Sequence, residues 1–173
     1  MSPRNRPKTD PPRSASAGPP SIRKASKADS KDIVELIVRL KRLNNEFDPL
    51  FGVVPDAKQR AEKYLASSFE SSGTLLLVAT SGGRVIGVVR AEIEERLFYR
   101  PAREGHITEM YILPEHRRAR LGQELLRTTI RELTKKGAEI IVADLPVRNE
   151  IGVSFYTKRG FRRLTETFAQ MPQ

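Results

Sequence analysis

The sequence predicts an α/β (α+β) domain built on a mixed sheet, and three observations lead to this fold class. A hairpin turn signal, Ser-Gly-Gly at residues 81–83, is preceded by a short apolar run at residues 75–79 and followed by a segment from Val85 with strand-like alternation. Two segments, starting near residues 30 and 121, place apolar side chains at helical spacing. The segment at residues 139–145 contains the continuous apolar run Ile-Ile-Val-Ala at 140–143, which is typical of a strand buried on both faces.

Strong breakers separate the elements of the first half. Apolar residues repeat with a helical period up to Leu43, after which Asn44-Asn45 and Asp48-Pro49 end the helix. The elements expected here are a strand at residues 22–25, a helix capped by Asp29 or Ser30, a second helix after Pro55 and a strand at residues 75–79.

The second half alternates between strands and helices. Its expected elements are strands from Val85 to about Glu95 and from about Gly105 to Leu113, a helix from about Leu121 to Lys136, a strand from Glu139 to Leu145, a helix from Asn149 to Lys158 and a final strand opened by Phe161. In the second of these strands, alternation puts Ile107, Glu109 and Tyr111 on one face, unless a bulge shifts the register. Met110 and Ile112 lie on the other face, and we expect them to pack inward.

The first 20 residues differ from the rest in composition. They hold six prolines and almost no aliphatic residues, so they cannot bury enough apolar surface to offset the entropy of ordering. They also lack the apolar stretch of a secretory signal. We therefore expect a disordered, basic tail rich in proline and serine over residues 1–20, and a single folded domain over residues 21–173.

The composition narrows the chemistry. The chain has no cysteine and only two histidines, His106 and His116, which argues against disulfides, thiolate nucleophiles and a multi-histidine metal site. No apolar run approaches the roughly 20 residues that a membrane span needs, so we expect a cytoplasmic protein without a membrane segment. The net charge of +10 attracts anions, nucleic acid and phosphorylated cofactors alike, and an ordinary basic surface is the simpler interpretation.

An arginine-rich turn joins the strand that ends at Leu113 to the helix that follows. It reads Arg117-Arg118-Ala119-Arg120-Leu121-Gly122. The N-terminus of a helix offers free backbone N–H groups and a positive dipole end, and the arginines add fixed charge. Gly122 lets an anion approach the backbone closely. The turn therefore favours a pyrophosphate site, with a solvated run of charge as the alternative.

The last predicted helix carries a second unusual stripe. Asn149 and Tyr156 are seven residues apart and lie within roughly 20° of one direction, with Gly152 on nearly the same face. A glycine inside a helix costs about 1 kcal/mol relative to alanine, so close approach of a ligand or another chain is one explanation. The other is a helix-capping asparagine and a tyrosine at the edge of the core.

Together, and about 30 residues apart, these two segments resemble the GNAT superfamily of acyl-CoA-dependent N-acyltransferases. Residues 117–122 are similar to the family's loop, Arg/Gln-x-x-Gly-x-Gly/Ala, and the lead-in at residues 111–116 is also similar. Asn149, Phe155-Tyr156 and Gly160-Phe161 resemble the family's second cofactor segment. The resemblance implies a mixed, mostly antiparallel sheet of about six or seven strands with about four helices.

The resemblance also implies a cofactor site and a reaction. The protein would transfer an acetyl group from acetyl-CoA, as co-substrate and without a metal, to a primary amine by direct attack in a ternary complex. Glu109 would act as the base and Tyr156 would protonate the leaving thiolate, while a strand N–H of Met110 or Tyr111 would stabilise the oxyanion. The residues expected to contact the cofactor are Met110, Tyr111, Ile112, Leu113, Arg117, Arg118, Ala119, Arg120, Leu121, Gly122, Gln123, Asn149 and Tyr156.

One departure from the family's loop lies at Arg120, where the family has its first glycine. Because a left-handed arginine would be costly, we expect a normal helix start at Arg120, with its side chain on or near a phosphate. Gly152 also replaces an alanine that is common in the family. The strand that holds Glu109 is expected to splay from the strand that starts at Glu139, which opens a gap for the pantetheine arm.

Several alternatives remain open. Glu109 could instead form an ion pair with a nearby arginine, and His106 could be the base. The acceptor could be an amine of a protein or a small molecule; Glu46, Asp48 and Asp56 would suit a cationic acceptor, and the arginines at 96, 100 and 103 an acidic one. The competing functions are a basic module that binds nucleic acid or the ribosome without catalysis, and an acyl-CoA-binding regulator. Weak nonspecific nucleic-acid binding and a homodimer also stay open.

Overall fold

The computed structural model describes residues 19–117 and 120–172. In this part of the chain, one five-stranded sheet carries four α-helices. The elements are β1 (Ser21–Lys24), α1 (Ser30–Phe47), α2 (Ala57–Glu70), β2 (Thr74–Ser81), β3 (Arg84–Glu95), β4 (Arg103–Ile112), α3 (Leu121–Lys135), β5 (Ile140–Ala143) and α4 (Glu150–Thr157).

The sheet has the strand order β1-β2-β3-β4-β5, and its neighbours are antiparallel except for the parallel pair β4 and β5. That pair runs only from Glu104 opposite Ile140 to Ile107 opposite Ala143. Strand β4 continues to Ile112, so its last five residues have no β5 partner. The strands therefore part beyond Ile107, where the resemblance implies a splay.

The two faces of the sheet are covered by different helices. Alternate residues of β2 enter opposite layers: Leu75 and Leu77 pack in the core that α3 covers, whereas Leu76 and Val78 pack in the core under α1 and α2. This two-sided burial explains why β2 reads as a continuous apolar run rather than an alternating one. Each large aliphatic side chain that is fully buried in this way contributes about 1.5–3 kcal/mol.

A β-bulge shifts the register between β3 and β4. Arg90 is opposite Glu109 and Ala91 is opposite Ile107, which leaves Thr108 as an extra residue in β4. Ile107 consequently lies in the core under α3, while Glu109 makes its contacts with α1 and α2. The exception considered for this strand, a bulge that shifts the register, is therefore present, and Ile107 and Glu109 do not share a face.

The inward packing expected beyond the bulge is confirmed. Ile112 is buried in the core under α3, and Met110 is half-buried against the same cluster.

The sheet is smaller than expected at its far edge. The prediction of six or seven strands was too high, because residues 161–172 form neither a helix nor a strand and the strand expected to open at Phe161 is absent from the described part of the chain. The prediction that β5 is buried on both faces is also wrong, since all four of its residues are partly exposed. Strand β5 has a single neighbour in the sheet, so its outer side lacks the cover of another strand.

Most of the predicted tail, residues 1–18, lies outside the described residues. Within the described ranges, every helix is too short or too polar to cross a membrane.

The junction between β1 and α1 is held by a buried aspartate. Asp29 is 8% exposed, and its carboxylate accepts hydrogen bonds from Arg23 Nη1 at 2.8 Å and from Arg23 Nη2 at 2.7 Å. It also accepts one from the Ser26 N–H at 2.8 Å, so the side chain reaches back along the chain instead of capping α1. The Arg23 hydrogen bonds, together with those from Ser26, hold the pKa of Asp29 well below its usual range.

We expect Asp29→Asn to weaken the fold and to flatten its acid dependence. Because the folded-state pKa is lowered, the stabilisation by Asp29 is fully present above pH about 4 and is lost as the pH falls through the lowered pKa. The variant should lose about 1–3 kcal/mol of unfolding free energy at pH 7, as expected for a hydrogen-bonded charge. Urea unfolding between pH 3 and pH 7 measures this, with Asp32→Asn at an exposed position of α1 as control. Parallel pH curves for the wild type and Asp29→Asn would contradict it.

Candidate active site

The gap between β4 and β5 exposes backbone groups of two residues. The Leu113 N–H donates to the Ile86 carbonyl at 2.9 Å, which fixes the phase of the ladder between β3 and β4. In that phase Tyr111 exchanges hydrogen bonds with its partner on β3, while Met110 and Ile112 point their N–H and C=O groups away from β3. These groups face the gap. Of the two oxyanion donors considered from the sequence, the register therefore favours the Met110 N–H.

Arg117 closes one end of this gap. Its Nε donates to the Ile112 carbonyl at 3.0 Å, and its guanidinium carbon lies 5.5 Å from the centre of the Tyr111 ring. The side chain therefore braces the end of β4. Arg118 and Ala119, which the sequence also assigns to the phosphate turn, lie outside the described residues.

Among the described residues, the N-terminus of α3 has no side-chain cap. The first backbone hydrogen bond of this helix runs from the Glu124 N–H to the Arg120 carbonyl at 3.1 Å, so the N–H groups of residues 121–123 precede it. Arg120 is the N-cap residue and its side chain caps none of these groups. The backbone N–H groups at the positive end of the helix therefore come from Leu121, Gly122 and Gln123. The sequence predicts that these three residues contact the cofactor.

Arg120 does not begin α3 with helical angles, so the expectation of a normal helix start there is wrong. Its φ of 57° and ψ of 4° lie in the left-handed region, and the helix itself starts at Leu121. The chain must turn between the 3₁₀ turn at Pro114–His116 and α3, and this turn takes the left-handed form at Arg120. For a residue with a Cβ, that form costs about 1–2 kcal/mol.

Gly122 and Gly152 are explained by packing within the chain. A Cβ on Gly122 would lie 3.3 Å from Cε2 of Phe155, so the glycine lets α3 and α4 approach closely. A Cβ on Gly152 would lie 2.6 Å from Cδ1 of Leu145, too close for any other residue without movement. Asn149 caps α4, because its Oδ1 accepts a hydrogen bond from the Gly152 N–H at 2.9 Å.

Tyr156 points from α4 to the strand beside the gap. Its hydroxyl lies 3.6 Å from Sδ of Met110, and its ring makes edge contacts with Phe155 at 5.2 Å and Phe161 at 5.1 Å between ring centres. Burial raises the pKa of the phenol above its ordinary value of about 10. A neutral phenol is thus held next to the residue whose backbone faces the gap.

Glu109 lies on the opposite face of β4 and is 4% exposed. Its Oε1 accepts a hydrogen bond from Lys41 Nζ at 2.8 Å, and its Oε2 accepts hydrogen bonds from the Tyr64 hydroxyl at 3.0 Å and Thr108 Oγ1 at 2.7 Å. Arg90 Nη1 stands 3.9 Å from Oε2. The alternative considered for Glu109 was an ion pair with an arginine, and Arg90 does lie nearby. The shorter ion pair of Glu109, however, is with Lys41.

Arg90 forms an outer layer around this carboxylate. It is 4% exposed, donates from Nε to Ser68 Oγ at 2.7 Å and from Nη1 to Thr108 Oγ1 at 3.0 Å, and also pairs with Glu92. Its guanidinium lies 4.1 Å from the centre of the Tyr64 ring. Burial, and then the nearby Glu109 charge, raise the pKa of Tyr64 to about 12. The Tyr64 phenol therefore stays protonated and continues to donate at neutral pH.

Sequence reasoning missed four members of this network, namely Lys41, Tyr64, Arg90 and Thr108. One signal was available: Arg90 interrupts the apolar stretch of β3, and a charged residue in a buried strand requires buried partners. Nothing local in the sequence marks Lys41, which contacts a residue 68 positions away.

His106, the alternative base, belongs to a separate cluster. Glu94, Glu104 and His106 bring one donor atom each to within 4.8 Å of one another, in the described part of the chain. His106 Nε2 lies 2.9 Å from Asp144, and Glu104 lies 3.3 Å from Nε of Arg96. Hydrogen bonds and ion pairs within the chain thus engage these groups.

A groove between α1 and α2 lies away from these residues. Its volume is about 580 Å³, and it is lined between α1 and α2 by residues that include Lys27, Val34, Lys58, Leu65 and Phe69. Among the described residues, none of the site residues predicted from the sequence lines it.

A strand that parts from its parallel neighbour, opposite the open N-terminus of a helix, defines the acyl-CoA-binding class of fold that the sequence resembles. The chain belongs to the acetyltransferase (GNAT) family, whose family model matches residues 39–161, most of the chain.

Solved structures with the same fold include enzymes with different acceptors. An aminoglycoside antibiotic 6'-N-acetyltransferase from Acinetobacter haemolyticus is 21% identical with a TM-score of 0.71, covering 88% of this chain and 98% of its own. A predicted acetyltransferase from Clostridium acetobutylicum, solved with acetyl-CoA, is 21% identical with a TM-score of 0.68, covering 88% and 96%. Glucosamine-6-phosphate N-acetyltransferase from Arabidopsis thaliana is 16% identical with a TM-score of 0.65, covering 88% and 98%.

These similarities establish the fold. None of the curated proteins compared with the sequence matches it.

We expect Arg120→Gly to be more stable than Arg120→Ala by about 1 kcal/mol, because only glycine relieves the cost of the left-handed backbone. Both variants lose the same charge, so their difference isolates the backbone. Denaturant unfolding of the two variants at one ionic strength measures it. Equal unfolding free energies would mean that position 120 is not left-handed in solution.

Proposed function

We propose that this protein is an acetyl-CoA-dependent N-acetyltransferase that acetylates a primary amine. The observation that carries the proposal is the parting of β4 from β5 beside Glu109, a buried carboxylate on the strand that borders the gap. Membership of the GNAT family supports acetyl-CoA as the acyl donor. The gap between β4 and β5 supports a binding place for it beside Glu109.

The residues present fit the binding of acetyl-CoA. Met110 offers a backbone N–H and C=O toward the gap, and the pantetheine arm carries amides that can pair with such groups as an added strand does. The N–H groups of residues 121–123 and the positive end of α3 suit the pyrophosphate. Arg117 and Arg118 add positive charge to the same turn. Acetyl-CoA would supply the thioester whose acyl group is transferred.

The acid–base roles follow from the protonation states of the groups. A lysine-like amine has a pKa of about 10.4 and arrives protonated, so a base must take its proton before it can attack. Glu109 is the proposed base, directly or through a water. In the transfer, a bond forms between nitrogen and the acyl carbon while the carbon–sulfur bond breaks. The Met110 N–H would stabilise negative charge on the acyl oxygen, and Tyr156 would give its proton to the leaving thiolate.

The acceptor is an amine on a protein, a peptide or a small molecule. The relatives named for their acceptors act on an aminoglycoside and on glucosamine 6-phosphate, which both carry amines. In this chain Asp48 accepts a hydrogen bond from the Leu50 N–H, and Asp56 pairs with Arg60. Their charge is thus partly used within the chain, which weakens the case that they attract a cation. Of these acceptors, we propose an amine of a protein or peptide.

We expect acetyl-CoA to bind with micromolar affinity, and Arg117→Ala/Arg118→Ala to weaken that binding by about tenfold or more because two positive charges of the turn before α3 are lost. Isothermal titration measures both dissociation constants. The control is Arg60→Ala/Arg131→Ala, which removes the same charge from exposed positions of α2 and α3. Absence of binding to the wild type would overturn the proposal, and a steep salt-dependent affinity for RNA would then favour the nucleic-acid alternative.

We expect Glu109→Gln to lower kcat by about 100-fold while the dissociation constant of acetyl-CoA stays unchanged, because the amide cannot accept the amine proton. Glu104→Gln on the same strand is the matched control, since Glu104 pairs with Arg96 outside the network. Steady-state release of the CoA thiol measures kcat, and acetyl-CoA titration checks that the variant is folded. Wild-type kcat in Glu109→Gln would remove Glu109 from the role of base.

We expect Tyr156→Phe to lower kcat by about 100-fold, as for the loss of a general acid. The raised pKa of Tyr156 keeps the wild-type phenol protonated at least to pH 10, so the ratio of wild-type to variant kcat should be constant from pH 7 to 9.5. The measurement is kcat against pH for both proteins. A ratio that falls toward one as the pH rises through 9 would mean that the phenol ionises in this range and is not held as an acid.

A further inference from the structure

Lys41 occupies an unusual place beside Glu109. It projects from α1, its side chain is 43% exposed, and its Nζ lies 2.8 Å from Oε1 of a carboxylate that is 4% exposed. The lysine thus reaches inward from the protein surface, and its amine meets the one carboxylate of β4 that is buried in the described residues.

The carboxylate that this amine contacts stands on the strand that borders the gap. Glu109 stands two positions beyond Ile107, the last residue of β4 that pairs with β5. The next residue, Met110, has its backbone groups turned toward the gap. An acceptor amine would have to come within hydrogen-bonding distance of the proposed base at this point. Lys41 already presents an amine there.

We propose that Lys41 is an acetylation site of the protein itself, with acetyl-CoA as the donor and Glu109 as the base. This inference rests on the proposed function. The Lys41 ammonium gives a proton to Glu109, and the neutral amine attacks the acyl carbon. A carbon–nitrogen bond forms, the carbon–sulfur bond breaks and the thiolate leaves as the thiol once protonated. The products are Nε-acetyl-Lys41, CoA and one proton released to solvent.

Other lysines with carboxylate partners lack this setting. Lys58 lies 2.8 Å from Glu35, the same distance, but both side chains are about half exposed and belong to α1 and α2 at the surface. Lys135 lies 2.9 Å from Glu132 on the same helix. In both pairs the carboxylate is not buried, and neither carboxylate lies on β4 beside the gap. Lys58 is therefore a matched control for chemical acetylation, which depends on exposure.

Acetylation would change the charge of the site. Among the described residues, Lys41 is the one cationic side chain within hydrogen-bonding distance of the Glu109 carboxylate. Acetylation of Lys41 would remove this positive charge. Glu109 would keep its hydrogen bonds from Tyr64 and Thr108 and its Arg90 neighbour at 3.9 Å. The modification thus acts on the proposed base directly.

The test uses the full chain incubated with acetyl-CoA that carries a deuterated acetyl group, so that label added in the tube is distinguished from earlier acetylation. Peptide-mapping mass spectrometry follows the label at Lys41 and Lys58 over time. We expect Lys41 to be labelled at least about tenfold faster than Lys58, with a rate constant independent of protein concentration, as for an intramolecular step. The rate at Lys41 should fall to that of Lys58 in Glu109→Gln, and Lys41→Arg should remove the fast label.

The outcomes separate this inference from the proposed function. Binding of acetyl-CoA, or transfer to an added amine, with Lys41 labelled no faster than Lys58 would overturn the inference and leave the proposed function standing. Absence of both binding and transfer would overturn the two together. Equal labelling of Lys41 in the wild type and in a folded Glu109→Gln variant, checked by circular dichroism and acetyl-CoA titration, would assign the label to chemical acetylation and overturn the inference.

Discussion

Thr108 forms a β-bulge in β4, because it has no partner residue on β3. The arrangement of the candidate site follows from this bulge. Without it, Glu109 would share a face with Ile107 and enter the apolar core under α3. With it, Glu109 turns toward α1 and α2, where Lys41 and Tyr64 donate to its carboxylate. The bulge also lies where β5 stops pairing with β4. Bulges near active sites commonly re-aim a side chain in this way.

Burying the Glu109 carboxylate costs hydration free energy, and the surrounding residues offset this cost. Each buried ion loses hydration worth several kcal/mol, and it is retained only when charges and hydrogen bonds compensate. Here Glu109 and Glu92 are balanced by Lys41 and Arg90, so the cluster is neutral overall. The same contacts orient the carboxylate, and solvent reaches the cluster at Lys41 and Glu92, whose side chains are 43% and 34% exposed. Stability and the proposed chemistry of Glu109 would therefore depend on the same set of hydrogen bonds.

The other side of β4 is organised by close packing of α3 and α4. Gly122 lets Phe155 approach α3, and Gly152 makes room for Leu145, so α4 can hold Tyr156 against Met110. The open start of α3 lies in the same region, preceded by a left-handed Arg120 at the family's glycine position. An arginine at this position adds a positive charge to the start of α3, but its left-handed backbone costs conformational energy that a glycine would not. Strand β4 separates a polar, charged face from an aromatic one.

The sequence determined whatever depends on local spacing. Helical and strand periodicities located α1, α3, β2, β3 and β4 to within a few residues, and the turn and helix motifs at residues 117–122 and 149–161 were sufficient to indicate the family. The number of strands was overestimated, because pairing at an edge depends on a partner and not on the strand's own composition. Tertiary structure alone decided the bulge at Thr108, the left-handed turn at Arg120 and the pairing of Lys41 with Glu109. The physical reason is that each of these results from how separate segments fit together, and Lys41 and Glu109 are 68 residues apart.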